Sequence, residues 1–385
     1  MMGRYTIGHV RAVVPGGILE DQLISVAGGV IEDIHPHPKG VAASIDGRGH
    51  LCLPGLVDLH SDALAKEHRP RPGAAMPVQL AVQSAENNLL AAGVTTAFHA
   101  VSFQLKSAVG VPIGSPRAPE IHHALRSHPS PRLDHRVLHR LDVRCPGGID
   151  SFRVHLQGQS GMPLVSYEDH TPGQGQYQDR QVMERWLREA ERMTADQAVD
   201  HVDLLIAERD EQLDLKEQTL AWLGGLAAAK SITLMGHDPT SPAEIDELLA
   251  RHATIAEFPT TLEAARHATE RGVATVAGAP NILLGGSHSG NVSAMEMARH
   301  GALNVLASDY LPSSLLAAAF DLARLGHATL PEAIAMISAN PAAAVGLHDR
   351  GRLAPGLRAD LLLCSDAHAH PRVVRTLTAN NPDRL

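Results

Sequence analysis

Residues 53–62, LPGLVDLHSD, form an apolar run that ends in polar side chains. Side chains alternate between the two faces of a strand, so His60 and Asp62 are expected on one side. Barrel enzymes keep their active sites at this carboxyl end of the strands. An imidazole and a carboxylate together suit a divalent metal, although a polar loop often carries the same two-residue pattern. The pair therefore predicts a metal site only if further ligands join it.

Three other apolar runs also end in possible ligands, namely His170, His237 and Asp309. A single such residue is more often a cap or a satisfied polar group, but four strand ends at one barrel rim favour a metal site. Mixed imidazole and carboxylate ligation is typical of an open, catalytic site. A metal there lowers the pKa of bound water to roughly 7, and Asp309 is the predicted acceptor of the water's proton.

Short apolar runs that alternate with helical stretches must position these residues. Strand, helix and strand repeat about eight times, which predicts an α/β protein with a (β/α)8-like TIM barrel over residues 53–349. The eight predicted strands are residues 55–59, 94–98, 137–143, 164–167, 232–235, 254–256, 274–276 and 305–306.

The two ends of the chain carry strand and turn patterns of their own. Residues 1–52 and 350–385 are predicted to form one small β-sandwich domain, with a turn at Gly28 and Gly29 that tolerates positive φ. Residues 181–230 are charged and have helical spacing, which predicts a helical insertion broken near Gly224 and Gly225. A solvated structural hairpin is favoured for it over a lid or a dimer arm.

Composition restricts the possible partners. Aromatic residues make up 3% of the chain, so its core must be aliphatic. The net charge is −9 and no long basic run occurs, which argues against a nucleic-acid partner. Three widely spaced cysteines, with no signal-like or 18-residue apolar segment, predict a cytoplasmic protein without membrane contact. A homodimer remains open.

Several longer motifs resemble a known group of enzymes. The frame around His60 and the terminal GRLAPGLRADLLL resemble the amidohydrolase superfamily. More specific segments resemble its PhnM-type α-D-ribose 1-methylphosphonate 5-triphosphate diphosphatases of the carbon–phosphorus lyase pathway, and the resemblance covers nearly the whole chain. These segments are RPRPG at 69–73, DHTPGQ at 169–174, AEFPTT at 256–261, GAPN at 278–281, GGSHSGN at 285–291 and SDYLP at 308–312.

The resemblance implies hydrolysis of a ribose 5-triphosphate to the 5-phosphate and pyrophosphate, through water attack on the α-phosphorus. It also implies one or two divalent ions, with zinc as the first expectation and manganese or iron as alternatives. The implied ligands are an HxD pair, a bridging carboxylate, two later histidines and a final aspartate. Besides the bridging carboxylate, they correspond here to His60, Asp62, His170, His237 and Asp309.

The bridging carboxylate is where the chain departs from the family. The family pattern HLRCE carries a glutamate, whereas this chain has residues 134–143 as DHRVLHRLDV. One alignment places Asp142 at the glutamate position, and another places Pro146 there and removes the ligand. Asp142 is preferred because it keeps a carboxylate at a strand end. The other alignment would leave a mononuclear site.

A phosphorylated small-molecule substrate also needs anion-binding groups. Basic side chains follow the HxD pair, and a loop rich in Gly, Ser and Asn could offer backbone amides to phosphate. His288 in that loop is a candidate proton donor to the leaving pyrophosphate. The predicted phosphate-binding residues are Lys66, Arg69, Arg71, Ser287, Ser289 and Asn291.

Two other functions stay open at this point. A cyclic amidase or a deaminase would share the barrel and the metal, although such enzymes usually carry HxH where this chain has HxD. A non-catalytic barrel subunit of a phosphonate-degrading assembly would instead use the helical insertion for contacts. Metal content separates the last possibility from catalysis.

Overall fold

A computed structural model describes residues 3–71, 74–106, 117–129, 132–159, 161–177, 179–286, 290–368 and 370–379. In these ranges the strands are β1 Arg4–Val14, β2 Gly17–Ala27, β3 Val30–Pro36, β4 Ile45–Asp46, β5 Leu51–Pro54, β6 Leu56–Ser61, β7 Val94–Ser102, β8 Asp134–Asp142, β9 Leu164–Glu168, β10 Thr233–His237, β11 Ile255–Glu257, β12 Ala274–Gly278, β13 Val305–Ala307, β14 Leu361–Ser365 and β15 Arg372–Leu377. The helices are α1 Ala63–His68, α2 Val78–Ala91, α3 Ala118–Arg126, α4 Pro146–Leu156, α5 Arg180–Ala190, α6 Ala195–Asp210, α7 Leu213–Ala228, α8 Pro242–Ala250, α9 Leu262–Glu270, α10 Ala279–Leu284, α11 Ala294–Arg299, α12 Ser314–Arg324, α13 Leu330–Ala335 and α14 Ala339–Ala344.

Strands β6 to β13 pair in chain order and in parallel, so the predicted (β/α)8-like barrel is confirmed. Each of the eight predicted runs overlaps one of these strands. Parallel strands are buried on both faces, which explains their continuous apolar character. The aliphatic side chains that fill the barrel interior include Val57, Leu59, Leu138, Met235 and Ile255, all fully buried.

The barrel is nearly closed, and its first and last strands meet at the carboxyl end. The backbone N–H of Asp62 donates to the carbonyl of Asp309 at 2.7 Å, and the N–H of Asp309 donates to the carbonyl of His60 at 3.0 Å. Below them the buried Asp58 accepts hydrogen bonds from the backbone and the hydroxyl of Ser308 at 3.0 and 2.5 Å. Burial raises the pKa of Asp58 to about 6 despite these bonds.

The chain ends share a separate sheet with the order β15-β14-β5-β1-β2-β3, and β4 pairs with β1. This sheet has its own aliphatic cluster, which includes Ile7, Ile24 and Leu361. Its β2–β3 turn places Gly28 and Gly29 at φ +59° and +75°, as the sequence predicts, because both positions need the left-handed region.

Residues 180–228 form three helices, whereas the sequence predicts a pair broken at Gly224 and Gly225. Both glycines lie within α7. Two breaks come earlier. Between α5 and α6, Thr194 caps α6 in a capping box with Gln197, at 3.2 and 2.9 Å, and a second break separates α6 from α7. Gly224 serves packing instead, because a Cβ there would lie 3.3 Å from the Cα of Arg251. Among the described residues, no helix combines the length and apolar character that crossing a membrane requires.

Candidate active site

The predicted ligands from separate barrel strands gather at the carboxyl end of the barrel. One ligand atom each from His60, Asp62 and Asp309 lies within 4.8 Å of the others. A second group, Glu168, His170 and His237, meets the same criterion. The structure therefore brings together five of the six residues that the sequence singles out as ligands, and it adds Glu168.

Glu257, at the end of β11, holds the two central histidines. Its carboxylate is fully buried, with Oε1 2.7 Å from Nδ1 of His60 and Oε2 2.7 Å from Nδ1 of His237. Ser166 donates to Oε2 at 2.5 Å. An ionised carboxylate only accepts hydrogen bonds, so both imidazoles carry a proton on Nδ1 in these contacts. Nε2 of each ring is thereby available to bind a metal in the cavity, as in carboxylate–histidine–metal arrangements.

The charges of these groups are coupled. Burial opposes ionisation of Glu257, but His60 and His237 outweigh it and hold the pKa of Glu257 well below its usual value. Burial likewise lowers the pKa of His60, yet Glu257 and Asp62 overcome this and raise it to about 10. The Nε2 of His60 lies 3.8 Å from Oδ1 of Asp62. These groups therefore form a strongly polar cluster at the base of the cavity.

Asp238 is a further carboxylate at this rim that the sequence argument missed. Its Oδ2 is buried without a hydrogen-bond partner among the described residues, and it lies 3.5 Å from Nε2 of His237 and 3.9 Å from Nε2 of His170. A buried oxygen without a partner is costly unless a cation meets it. Imidazole nitrogen and carboxylate oxygen are suitable donors for zinc, manganese or iron. The residues present therefore fit a divalent metal.

Three residues that follow barrel strands have left-handed backbone conformations. Asp238, Phe258 and Asp309 have φ values of +54°, +52° and +56°. Such conformations cost a non-glycine residue about 1–3 kcal/mol and concentrate at functional sites. Here they end the strands sharply and turn the chain across the barrel mouth.

Glu168 is the last residue of β9 and is fixed by cationic and polar neighbours. Arg140 donates to Oε2 from Nε and Nη2 at 3.0 and 2.7 Å, and Gln104 donates to Oε1. Burial would raise the pKa of Glu168, but Arg140 and the nearby histidines lower it to about 2. Its Oε2 lies 3.8 Å from Nε2 of His170. Glu168 is thus an ionised carboxylate beside the two histidines.

The structure does not bring Asp142 into either ligand group. Arg209 binds both of its carboxylate oxygens, at 2.8 and 2.9 Å, and the backbone N–H of Arg144 donates to Oδ1 at 2.9 Å. Arg209 belongs to α6, and it also contacts Thr171 and Asp169, which flank His170. Asp142 therefore anchors the arginine that fixes the His170 loop. Pro146, the other alignment candidate, lies at the start of α4.

A cavity of about 290 Å³ opens at this rim. Besides His60 and His237, the described ionisable side chains in its wall are Asp62, Asp238, Asp309 and Arg140, so three carboxyl groups face one guanidinium. Arg140, which is partly buried, was not singled out from the sequence, although it lies two residues before Asp142 on the same strand face. The wall also contains His60, Phe258, Pro259, Asn281, Asn291 and Tyr310.

The predicted phosphate-binding residues have different positions. Asn291 lines the cavity, and the Lys66 ammonium lies 6.0 Å from the ring centroid of Tyr310 at its edge. Arg69 and Arg71 are exposed beyond the end of α1 and are not among the described wall residues. Ser287, His288 and Ser289 lie outside the described residues.

Comparisons with known proteins bear on the family and the fold of the chain. A sequence profile described as amidohydrolase family matches residues 206–377. The fold resembles 5-methylcytosine deaminase from Klebsiella pneumoniae, with a TM-score of 0.63, 15% identity and coverage of 97% of this chain and 96% of the other. It also resembles N-isopropylammelide isopropylaminohydrolase from Burkholderia multivorans, with a TM-score of 0.61, 17% identity and coverage of 98% and 97%.

The barrel and its rim define a hydrolase of the amidohydrolase superfamily. Over 377 residues the chain is 35% identical to a protein of Escherichia coli K12 named alpha-D-ribose 1-methylphosphonate 5-triphosphate diphosphatase, covering 94% of this chain and 96% of that protein. The chain belongs to the family of that diphosphatase.

Proposed function

We propose that the chain hydrolyses α-D-ribose 1-methylphosphonate 5-triphosphate to the 5-phosphate and pyrophosphate. The observation that carries this proposal is the identity of 35% to the Escherichia coli diphosphatase across 94% of the chain. The likeness to the 5-methylcytosine deaminase and the N-isopropylammelide isopropylaminohydrolase, at 15% and 17% identity, supports the fold alone. The carboxylate-rich cavity supports a metal-assisted reaction.

The metal would be held by the two groups of three ligands at the barrel rim. His60, Asp62 and Asp309 would form one position, and Glu168, His170 and His237 the other. Asp238 lies beside the second group and would complete it. A divalent ion, with zinc preferred over manganese and iron, would supply a hydroxide nucleophile at neutral pH and screen the phosphate charges.

The residues of the chain would then have separate tasks. Asp309 would accept the proton of the attacking water, and Glu257 keeps His60 in the required tautomer. His288 remains the predicted proton donor to the leaving pyrophosphate.

The charges in the cavity wall determine how strongly a triphosphate is attracted to the site. Three carboxylates in the described wall repel a polyanion, whereas the Arg140 guanidinium and the His60 imidazole, whose pKa is raised to about 10, attract one. Bound cations would reverse this balance. We assign Arg140 a phosphate contact in addition to the predicted Lys66, Arg69, Arg71, Ser287, Ser289 and Asn291.

The direct test is product analysis with metal-loaded enzyme. We expect stoichiometric release of pyrophosphate and α-D-ribose 1-methylphosphonate 5-phosphate, with activity lost on chelation and restored by zinc, manganese or iron. A His60→Gln variant provides the background from contaminating phosphatases. Release of orthophosphate alone, or deamination of a base with no pyrophosphate formed, would contradict the proposal.

A matched pair of variants tests which carboxylate belongs to the metal site. Glu168→Gln is expected to remove about one equivalent of metal, because a neutral amide is a much weaker ligand than a carboxylate. Asp142→Asn is expected to keep the full metal content and to lower thermal stability, because Arg209 loses one of its two ionic partners and keeps Asp169. Mass spectrometry measures the metal content of both variants, and thermal denaturation measures their stability. The reverse pattern would restore Asp142 as the bridging ligand.

A further inference from the structure

Three histidines converge on the outside of the barrel, away from the cavity. His122 comes from α3, His139 from β8 and His155 from α4. One ring nitrogen of each lies within 4.8 Å of the other two. Their ring centroids are 4.5 Å apart for His122 and His155, 5.3 Å for His139 and His155, and 6.4 Å for His122 and His139. His139 alternates along β8 with Arg140, so it points away from the active-site cavity.

His139 has a ring nitrogen that nothing in the described structure satisfies. Its side chain is 3% exposed, and Nδ1 lies 2.9 Å from the carbonyl oxygen of Leu164. A carbonyl only accepts, so Nδ1 carries the proton and Nε2 has the lone pair. That Nε2 is buried without a hydrogen-bond partner in the described part of the chain. This is the tautomer of a metal-ligating histidine whose other nitrogen is fixed by a carbonyl.

The other two histidines are partly exposed and can admit an ion from solvent. Nε2 of His155 lies 3.1 Å from the side-chain nitrogen of Gln159, a contact that a metal bond would replace. Burial lowers the pKa of His139 and of His155 to about 4, so both rings are neutral near pH 7, as ligation requires. Burial and the nearby Arg126 also lower the pKa of His122.

In two other candidate clusters among the described residues, groups of the protein already contact the side chains that could bind a metal. In the group His9, Asp21 and His37, the Nδ1 of His37 accepts from the backbone of His9, and its Nε2 contacts the carbonyl of Val41. In the group Glu86, His128 and His135, Arg132 already neutralises the carboxylate at 3.0 Å.

We propose that His122, His139 and His155 bind one divalent transition-metal ion, with water as the fourth ligand, in a site that ties α3 and α4 to β8. Three neutral imidazoles suit Zn²⁺, Ni²⁺ or Cu²⁺ and disfavour Mg²⁺ and Ca²⁺, which prefer oxygen ligands. Metal–nitrogen bonds of about 2.0–2.1 Å bring tetrahedral ligands to roughly 3.4 Å from one another. To reach this spacing, the partly exposed side chains of His122 and His155 would rotate toward His139, which stays fixed. Arg126 repels the cation and weakens the site.

The test counts metal ions in tag-free protein whose active site is already loaded. Wild type, titrated with Zn²⁺ after removal of excess metal, is expected to bind one equivalent more than His122→Ala/His155→Ala. Zn²⁺ is also expected to raise the thermal midpoint of wild type above that of this variant. The matched control His9→Ala/Asp21→Ala removes two residues of another cluster and should bind as wild type does.

Two single variants keep the proposal testable if the double variant does not fold. His122→Gln should weaken Zn²⁺ binding at least about tenfold, and Arg126→Ala should tighten it several-fold because a repulsive charge is removed. A purely structural stacking role for the histidines predicts neither change. Equal Zn²⁺ stoichiometry in wild type and the histidine variants, with Mg²⁺ as a non-binding comparison, would overturn the proposal.

Discussion

Glu257→Gln is expected to lower kcat/KM by at least about 100-fold and to weaken metal binding, because supporting hydrogen bonds to ligating histidines are each worth about 10–100-fold. The carboxylate accepts a hydrogen bond from Nδ1 of both His60 and His237 at 2.7 Å. A glutamine of the same size has only one acceptor oxygen, and its amide group would face the second imidazole as a donor. One histidine must then change tautomer or turn away from the cavity.

Ser166→Ala is the matched control for this prediction. It removes the hydroxyl that donates to the same carboxylate, at 2.5 Å, but leaves both histidine contacts intact. We expect a loss below about tenfold in kcat/KM and an unchanged metal content, since one neutral partner contributes less than a charged one. Full activity in Glu257→Gln, with wild-type metal content, would show that the histidines do not depend on Glu257.

Asp309→Asn is expected to reduce kcat by about 10²–10⁴-fold, the range that a positioned general base contributes. The substitution keeps the size of the side chain and removes its ability to take a proton. It also suits the backbone, because asparagine tolerates the left-handed conformation that this position adopts at φ +56°. The barrel closure is made by backbone atoms of this residue and should persist.

The neighbouring Tyr310→Phe variant is the comparison for Asp309→Asn. Tyr310 lines the same cavity, but we assign it no proton transfer, and we expect a change in kcat of less than about tenfold. Circular dichroism and thermal denaturation are the controls that test whether both variants are folded. An Asp309→Asn enzyme with wild-type kcat would exclude this residue as the base.

The barrel was predictable because its strands carry a strong local signal. Runs such as residues 164–167 and 232–235 are aliphatic and short, and helical patterns separate them. Position at a strand end was enough to single out His60, His237 and Asp309, which the structure brings to one rim. The alternation of strand and helix therefore predicted both the fold and the end of it where these residues gather.

The roles of some site residues could not be predicted, because they depend on contacts with residues that are distant in the sequence. Asp142 ends a strand as a ligand would, but Arg209 from the helical insertion holds it, and no local pattern places that arginine. Glu257 ends a strand of three residues, too short for its burial to be inferred. Glu168 lies only two residues before His170 and could have been found by asking which side chains share that strand end.

The helical insertion illustrates a second limit. Glycine usually indicates a break in a helix, and Gly224 with Gly225 suggested one. Inside α7, Gly224 instead permits close approach to Arg251, and this tertiary contact outweighs the local cost. A glycine that ends a helix and a glycine that permits close packing inside one look the same in the sequence, so only the packed structure distinguishes them.

The backbone bonds that close the barrel have a consequence for how the enzyme is made. Asp58 and Ser308, whose contact supports the closure, are separated by 250 residues. A chain emerging from the ribosome presents His60 and Asp62 long before Asp309 exists, so the first ligand group is incomplete until the last strand docks. Barrel folding and assembly of that ligand group are thus one late, non-local event. We expect partly synthesised chains, which lack Asp309, to bind metal more weakly than the complete chain.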